Sequence, residues 1–302
     1  MEQPVKTPSL RKYKPRKPIV AFFLSLFFPG LGQVYNGQPK KGALFFGLLL
    51  VPVLIHFIYR WSLTFWGMVL GFGISLAMLI CFLIDAIVVA RKQQHYTLQA
   101  SNNWKYYSGF ILGVALIGGV LNFPSRIGIK TFRIVSASSS PTLQLGDWVI
   151  ADMKAYTDHQ PEYGDIAVFQ DQHGQPYVFR IVGRPNDRLA LNNNSISINE
   201  VPAKATVIKD TMSGLQSVTE FEEELPNGHK HLSYRFKDHY DVAKANVQNI
   251  VVPADHYYLL GDNRDEAMDS RYLGPVHKDS IVGKLFYTYW PAGRANIDLR
   301  SK

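Results

Sequence analysis

Cysteine is nearly missing from this chain of 302 residues: Cys81 is the one example, and it lies inside an apolar run. An intrachain disulfide is therefore excluded, and so is a cysteine-based metal site. The nine histidines fall at no close-spaced ligand intervals, which argues against a structural or catalytic metal. Acidic residues are scarce through residue 125, and helical periodicity is nearly absent beyond Lys130, apart from Asp241–Val247. A cleavable leader is not evident, because the first apolar run lacks a small-residue cleavage site and more apolar runs follow it.

What is present divides the chain in two, about as its length allows. Residues 1–125 are apolar and aromatic, and residues 126–302 alternate in the manner of strands joined by tight turns. Spanning a bilayer takes about 20 residues, with tolerance down to about 17. Ala43–Tyr59, Leu63–Ala90 and Tyr107–Phe123 meet that length. The earlier run Ile19–Val34 is broken by Pro29-Gly30 and Gly32, and reads as a bent or re-entrant segment.

Charge placement sets an orientation. The leader Arg11, Lys12, Lys14, Arg16 and Lys17 contributes to a formal charge of +8. Directly ahead of apolar runs it reads as an orientation signal, and no nucleic-acid partner is expected. Lys40-Lys41 and Arg91-Lys92 with Lys105 form the basic loops, while Arg60 stands nearly alone. With the basic loops cytoplasmic, three spans carry the domain that begins near Ser125 outside the cytoplasm. Asp85 is costly within a membrane, and its place is near the helix end by Arg91-Lys92.

Strands are expected at Thr131–Val135, Trp148–Ala151, Ile166–Phe169, Tyr177–Val182, Leu189–Leu191, Ser195–Ile198, Tyr257–Leu260 and Ile281–Tyr289. The first ends in Ser136-Ala137-Ser138, followed by Pro141-Thr142-Leu143. A serine at a strand end, ahead of a proline-fixed turn, is exposed yet held, as a nucleophile must be.

The run Ser136-Ala137-Ser138-Ser139-Ser140-Pro141-Thr142 resembles the nucleophile motif of type I signal peptidases, Ser-x-Ser-Met-x-Pro-Thr. Gly164–Phe169 looks like that family's next strand, and Tyr177–Asp187 like the strand and turn that carry its lysine. Gly261-Asp262-Asn263-Arg264-Asp265, then Asp269-Ser270-Arg271-Tyr272 and Gly274, is similar to its last block. The four blocks stand in order over about residues 130–290. The resemblance implies a multi-span α-helical membrane region (1–125) followed by a mostly-β extracytoplasmic domain of the signal peptidase I type (126–302). The location it implies is the bacterial inner membrane, multi-pass, and the partners are exported preproteins or their signal peptides and the lipid bilayer. No cofactor is implied.

By the same resemblance Ser138 is the nucleophile and Ser136 lends its hydroxyl to the oxyanion hole. Asp269 and Arg271 lie near the active site as supports, and Asp262, Arg264, Asp269 and Arg271 brace the loop around the serine by charge-assisted pairing. The family's general base is a lysine, and this chain has Phe179 there, ahead of Arg180. The serine that orients the lysine is replaced by Ala267. A phenyl ring accepts no proton and a guanidinium stays charged, so neither serves as a base. Ser139 replaces the motif's methionine at an expected contact surface. Lys130, Lys154, Lys209, His173 and the histidines between His229 and His256 are candidate substitute bases, each also readable as a surface residue. A polar insertion from about Asn192 to Asp255 is expected as a lobe away from the groove, with the acidic run Glu220–Glu224 as a solvated edge. Three functions stay open: a serine endopeptidase removing signal peptides, a pseudoprotease binding signal peptides or a partner, and a scaffold for the amino-terminal membrane module.

Overall fold

The computed structural model describes residues 14–59, 63–99, 101–121, 128–237 and 241–300. Arg11, Lys12, Arg60, the end of the expected third span at Phe123, the boundary near Ser125 and His239 lie outside the described residues. Two compact units emerge, one reaching residue 126 and the other starting at residue 127 and also taking in Leu63–Phe65.

The first unit is helical. Proline suits the first turn of a helix, where its missing N–H costs nothing, and α1 (Pro18–Phe27) opens on one. Gly30, with φ of 97°, separates it from α2 (Leu31–Tyr35) in a conformation that glycine adopts freely. The chain continues through α3 (Pro39–Tyr59), α4 (Phe65–Lys92) and α5 (Trp104–Leu121). Among the described residues, α4 is the helix long and apolar enough to cross a membrane. Buried amides tie α2 to α4: Gln33 Nε2 donates to Phe82 O at 2.8 Å and Asn36 Nδ2 to Ala86 O at 2.8 Å. Asp85 is neutralised by Lys41, 2.5 Å away, and accepts from Gln33.

The second unit is mostly β. Its strands are β1 (Ile129–Arg133), β2 (Trp148–Asp152), β3 (Ile166–Gln170), β4 (Pro176–Gly183), β5 (Arg188–Asn192), β6 (Ser195–Ile198), β7 (Val201–Pro202), β8 (Lys204–Ser213), β9 (Gln216–Glu224) and β10 (Lys230–Phe236). After a short helix, α6 (Val242–Ala245), come β11 (Ile250–Val251), β12 (His256–Leu260), the one-turn helix α7 (Ser270–Leu273), β13 (Val276–His277) and β14 (Ile281–Trp290). A seven-stranded sheet runs in the order β1-β2-β14-β3-β4-β12-β13. Smaller sheets are β10-β9-β8 and β11-β5-β6-β7.

The β8–β10 sheet lies within the polar insertion, where only β6 and a short helix had a sequence signal. Strand β8 is exposed along almost its whole length, so it carries no alternation to read. Nor is the insertion a lobe set apart from the groove. Tyr234 N donates to Asp262 O at 2.8 Å and Arg264 N donates to Tyr234 O at 2.9 Å, stitching β10 to the loop after β12.

Candidate active site

Strand β1 ends at Arg133, and the chain leaves the sheet through Ile134, whose N–H donates to Asp147 O at 2.8 Å. Val135 and Ser136 then stand exposed, Val135 to 80%. Among the described residues no backbone hydrogen bond reaches either one. The next turn closes by Ser140 N donating to Ala137 O at 3.0 Å and Leu143 N to Ser139 O at 2.9 Å. Ser138 sits half-buried inside it. Its carbonyl accepts from Asn263 N at 3.0 Å, and Asn263 Nδ2 donates to Ala137 O at 3.3 Å, so the loop after β12 clamps the serine turn.

The Ser138 hydroxyl donates to Glu266 O at 3.4 Å, a long bond to a carbonyl. Among the described residues no lysine or histidine nitrogen hydrogen-bonds it. The residues matched to the base and its orienting partner are nearby. A methyl group added at Gly261 would run into Ala267 Cβ and Ser138 O, and would touch Phe179 Cδ1 at 3.5 Å. Phe179 and Ala267 are both buried, in one apolar cluster with Ala167, Phe169, Ile181 and Leu259. The Phe169 and Phe179 rings stand 5.9 Å apart. Phe179 and Ala267 are thus part of a hydrophobic core, and neither side chain can receive a proton.

The other candidate bases are engaged elsewhere or exposed. Lys209 approaches Glu220 at 3.7 Å, and His173 lies in an exposed turn, where its N–H donates to Asp171 Oδ1. His229 and His231 are buried, which corrects the surface reading. Burial and the adjacent Arg180 guanidinium push the His229 imidazole down to about 4. His231 is lowered by the same two causes. Its Nε2 lies 3.4 Å from Glu223 Oε2, on β9.

The bracing pairs differ in part from expectation. Asp269 and Arg271 do pair with each other: Arg271 Nε reaches Asp269 Oδ1 at 2.8 Å and Nη2 reaches Oδ2 at 2.7 Å. Gly261 N also donates to Asp269 Oδ2 at 3.0 Å, which anchors the loop behind the serine. Asp262 instead takes Arg180 as a bidentate partner, at 2.8 and 2.7 Å, and accepts from Thr142 Oγ1 at 2.5 Å. Burial opposes the charge on Asp262, but the Arg180 guanidinium holds its carboxyl below the usual range. Arg264 pairs with Glu223, which Arg235 also contacts.

Glu223 is fully buried and Glu220 nearly so, which corrects the solvated-edge reading of the acidic run. Three positions apart on β9, the two carboxylates face opposite sides of the strand: Glu223 meets the guanidinium groups of Arg235 and Arg264, and Glu220 has the Lys209 ammonium at 3.7 Å. Ser139 is likewise no contact surface: it is buried, and its hydroxyl donates to Val178 O at 2.9 Å. A short hydroxyl ties the turn to β4 where a longer side chain was expected to face outward. Glu266, Asn263 and Glu223 escaped sequence reasoning. Glu266 acts through its main chain, and Glu223 was hidden in an acidic run.

A model of the family described as signal peptidase, peptidase S26, matches residues 106–290, more than half of the chain, and the chain belongs to that family. It is 27% identical over 186 residues to signal peptidase IB of Staphylococcus aureus (strain COL), covering 60% of this chain and 88% of that protein. It is 30% identical over 190 residues to signal peptidase I of Pseudomonas aeruginosa, covering 54% of this chain and 66% of that protein. Among solved structures, signal peptidase I of Enterococcus faecalis V583 aligns with 42% of this chain and 97% of its own at 23% identity, with a TM-score of 0.27.

Proposed function

We propose that this chain is a membrane-anchored, catalytically impaired member of its family, which holds the signal peptides of exported preproteins beside Ser138 without cleaving them efficiently. The observation that carries this reading is the burial of Phe179 and Ala267 in one apolar cluster next to Ser138, where the family has its base and the base's orienting hydroxyl. A serine whose proton has no acceptor is a poor nucleophile, and losing one member of such a unit costs about 10⁴–10⁶ in rate. The peptide would add as an extended strand along the exposed Val135–Ser136 segment. Main-chain hydrogen bonds would supply affinity, and shallow pockets for small side chains would supply selectivity. Ser136 would still offer an oxyanion donor, leaving a low residual turnover.

The membrane part of the reading has three spans, given by α3, α4 and α5, with the β domain outside the cytoplasm. Its support is the apolar length of α4 and the clustering of basic residues at Lys40-Lys41 and Arg91-Lys92.

A second reading, an active serine endopeptidase, is favoured by family membership and by the retained Ser138 turn. Binding separates the two when measured beside cleavage. A fluorescent signal peptide should bind wild type and Ser138→Ala with equal affinity in detergent, with no more than trace cleavage by wild type and none by Ser138→Ala. Loss of the peptide's full-length mass with wild type, and not with Ser138→Ala, would establish the second reading. No binding by either protein would sink the first.

A further inference from the structure

The helical unit contains a buried cation that lacks an anion. Arg16, just ahead of α1, is 7% exposed. Its guanidinium lies between the rings of Tyr35 and Tyr96, 4.4 and 4.1 Å from their centroids. Its Nε and Nη2 have no hydrogen-bond partner, and no carboxylate pairs with it among the described residues. Residues 1–126 contain two acids, Glu2 and Asp85, of which Glu2 lies outside the described residues. Asp85 is already taken by Lys41. Aromatic faces offset part of the cost of burying a cation, but they leave its N–H donors unmet.

The surroundings are built rather than accidental. Tyr96 donates its hydroxyl to Asn102 Oδ1 at 2.6 Å and Asn102 Nδ2 donates to Tyr35 O at 3.0 Å, so one amide ties the Tyr96 ring to the Tyr35 main chain, while the Tyr35 hydroxyl accepts from Lys17 N at 3.1 Å. Arg16 lines a cavity of about 780 Å³. Lys14 and Lys17 flank it there, and among the described residues no acid lines the space. The rest of the lining is mainly apolar, Leu24, Leu31 and Ile111 among it, with Tyr35, Asn102 and Tyr107 as its polar members. Cations and hydrocarbon thus line one space, in a volume far larger than a phosphate ion fills.

We propose that this cavity binds a phosphate-bearing membrane amphiphile, its anionic group against Arg16, Lys14 and Lys17 and its chain along Leu24, Leu31 and Ile111. The inference rests on the membrane insertion of the helical unit and is independent of whether the β domain cuts peptides. Basic pockets among membrane helices take anionic head groups, and anionic lipids are concentrated on the cytoplasmic leaflet, where basic segments collect.

Native mass spectrometry of the full chain in detergent tests it, with phosphatidylglycerol, phosphatidylcholine of the same chains, and inorganic phosphate as separate probes. The expected result is at least tenfold preferential retention of phosphatidylglycerol over phosphatidylcholine. Arg16→Gln should abolish that preference while its melting temperature in lipid-free detergent is unchanged or higher. Ile111→Trp, which takes up space at an apolar lining position and spares the three cations, should weaken the lipid and leave any weak phosphate binding unaltered. Equal retention of the two lipids by wild type would overturn the proposal. So would unchanged preference in Arg16→Gln, or full displacement of the lipid by millimolar phosphate, which would make this a free-anion site. Signal-peptide binding measured on the same preparation keeps failure here distinct from failure of the functional reading.

Discussion

Phe179 and Ala267 converge on Gly261, which leaves no room for a methyl group between Ala267, Phe179 and the Ser138 carbonyl. On the proposed match, the positions of the family's lysine and of the serine that orients it both hold apolar residues of one buried cluster beside Ser138. Leaving only one of the two polar groups buried would cost about 1–3 kcal/mol, so the paired replacement is the stable one.

Arg180 and Asp262 form the buried bidentate pair that fixes the loop behind the serine. Removing one partner leaves the other charge without compensation, which typically costs 3–5 kcal/mol. Asp262→Ala should lower stability to denaturant by about that amount, whereas Thr142→Val, which spares the ion pair, should cost roughly 1 kcal/mol. Chemical denaturation followed by tryptophan fluorescence measures both. Equal, small effects would deny the pair its bracing role.

Stability should fall in acid well before the carboxylates titrate. His229 keeps its neutral form down to about pH 4 in the folded chain, because burial and then Arg180 disfavour its charge, while His231, Asp262 and Asp165 share its surroundings. The unfolded chain binds that proton near pH 6.5. Between these values the unfolded state holds more protons, so stability drops as pH falls from 6.5 toward 4, and the contribution is gone below that. Asp262 and Glu223, with carboxyls lowered by guanidinium partners despite burial, add a further loss below about pH 4. Denaturation midpoints across this range should fall less steeply for His229→Gln than for wild type. Parallel profiles would refute the assignment.

Glu223 lies between Arg235 and Arg264 at the foot of the loop that clamps Ser138. Glu223→Gln leaves two guanidinium groups under-compensated and should destabilise the β domain by about 3–5 kcal/mol. Glu222→Gln on the same strand, at an exposed pair with Lys230, should cost about 0–1 kcal/mol. Thermal melts of the two variants decide whether burial or sequence position sets the effect.

The legibility of this chain followed its chemistry. Apolar runs such as Ile166–Phe169 and Tyr177–Val182 announced β3 and β4 because what these strands bury is mostly apolar. Strand β8 stayed hidden because it is exposed, and β9 and β10 because much of what they bury, Glu223 and Arg235 among others, is charged. The turn around Ser138 was legible from its small residues and Pro141, whereas the burial of Phe179 and Ala267 in one cluster had to come from the fold. The Arg180–Asp262 bond joins residues 82 positions apart and had no local signal. Glu266 was invisible as a partner of Ser138 because it contributes a carbonyl, which any residue would supply.

The most direct measurement is cleavage of an exported preprotein, read by mass spectrometry, by wild type and by the double variant Phe179→Lys with Ala267→Ser. A lysine placed in that apolar pocket would have its pKa pushed down by desolvation toward the neutral form that accepts a proton. The expected result is no more than trace cleavage by wild type and at least a 100-fold gain in the double variant, lost again when Ser138→Ala is added. Rapid wild-type cleavage after a small-x-small site, abolished by Ser138→Ala, would contradict the account and show that a different base serves this serine.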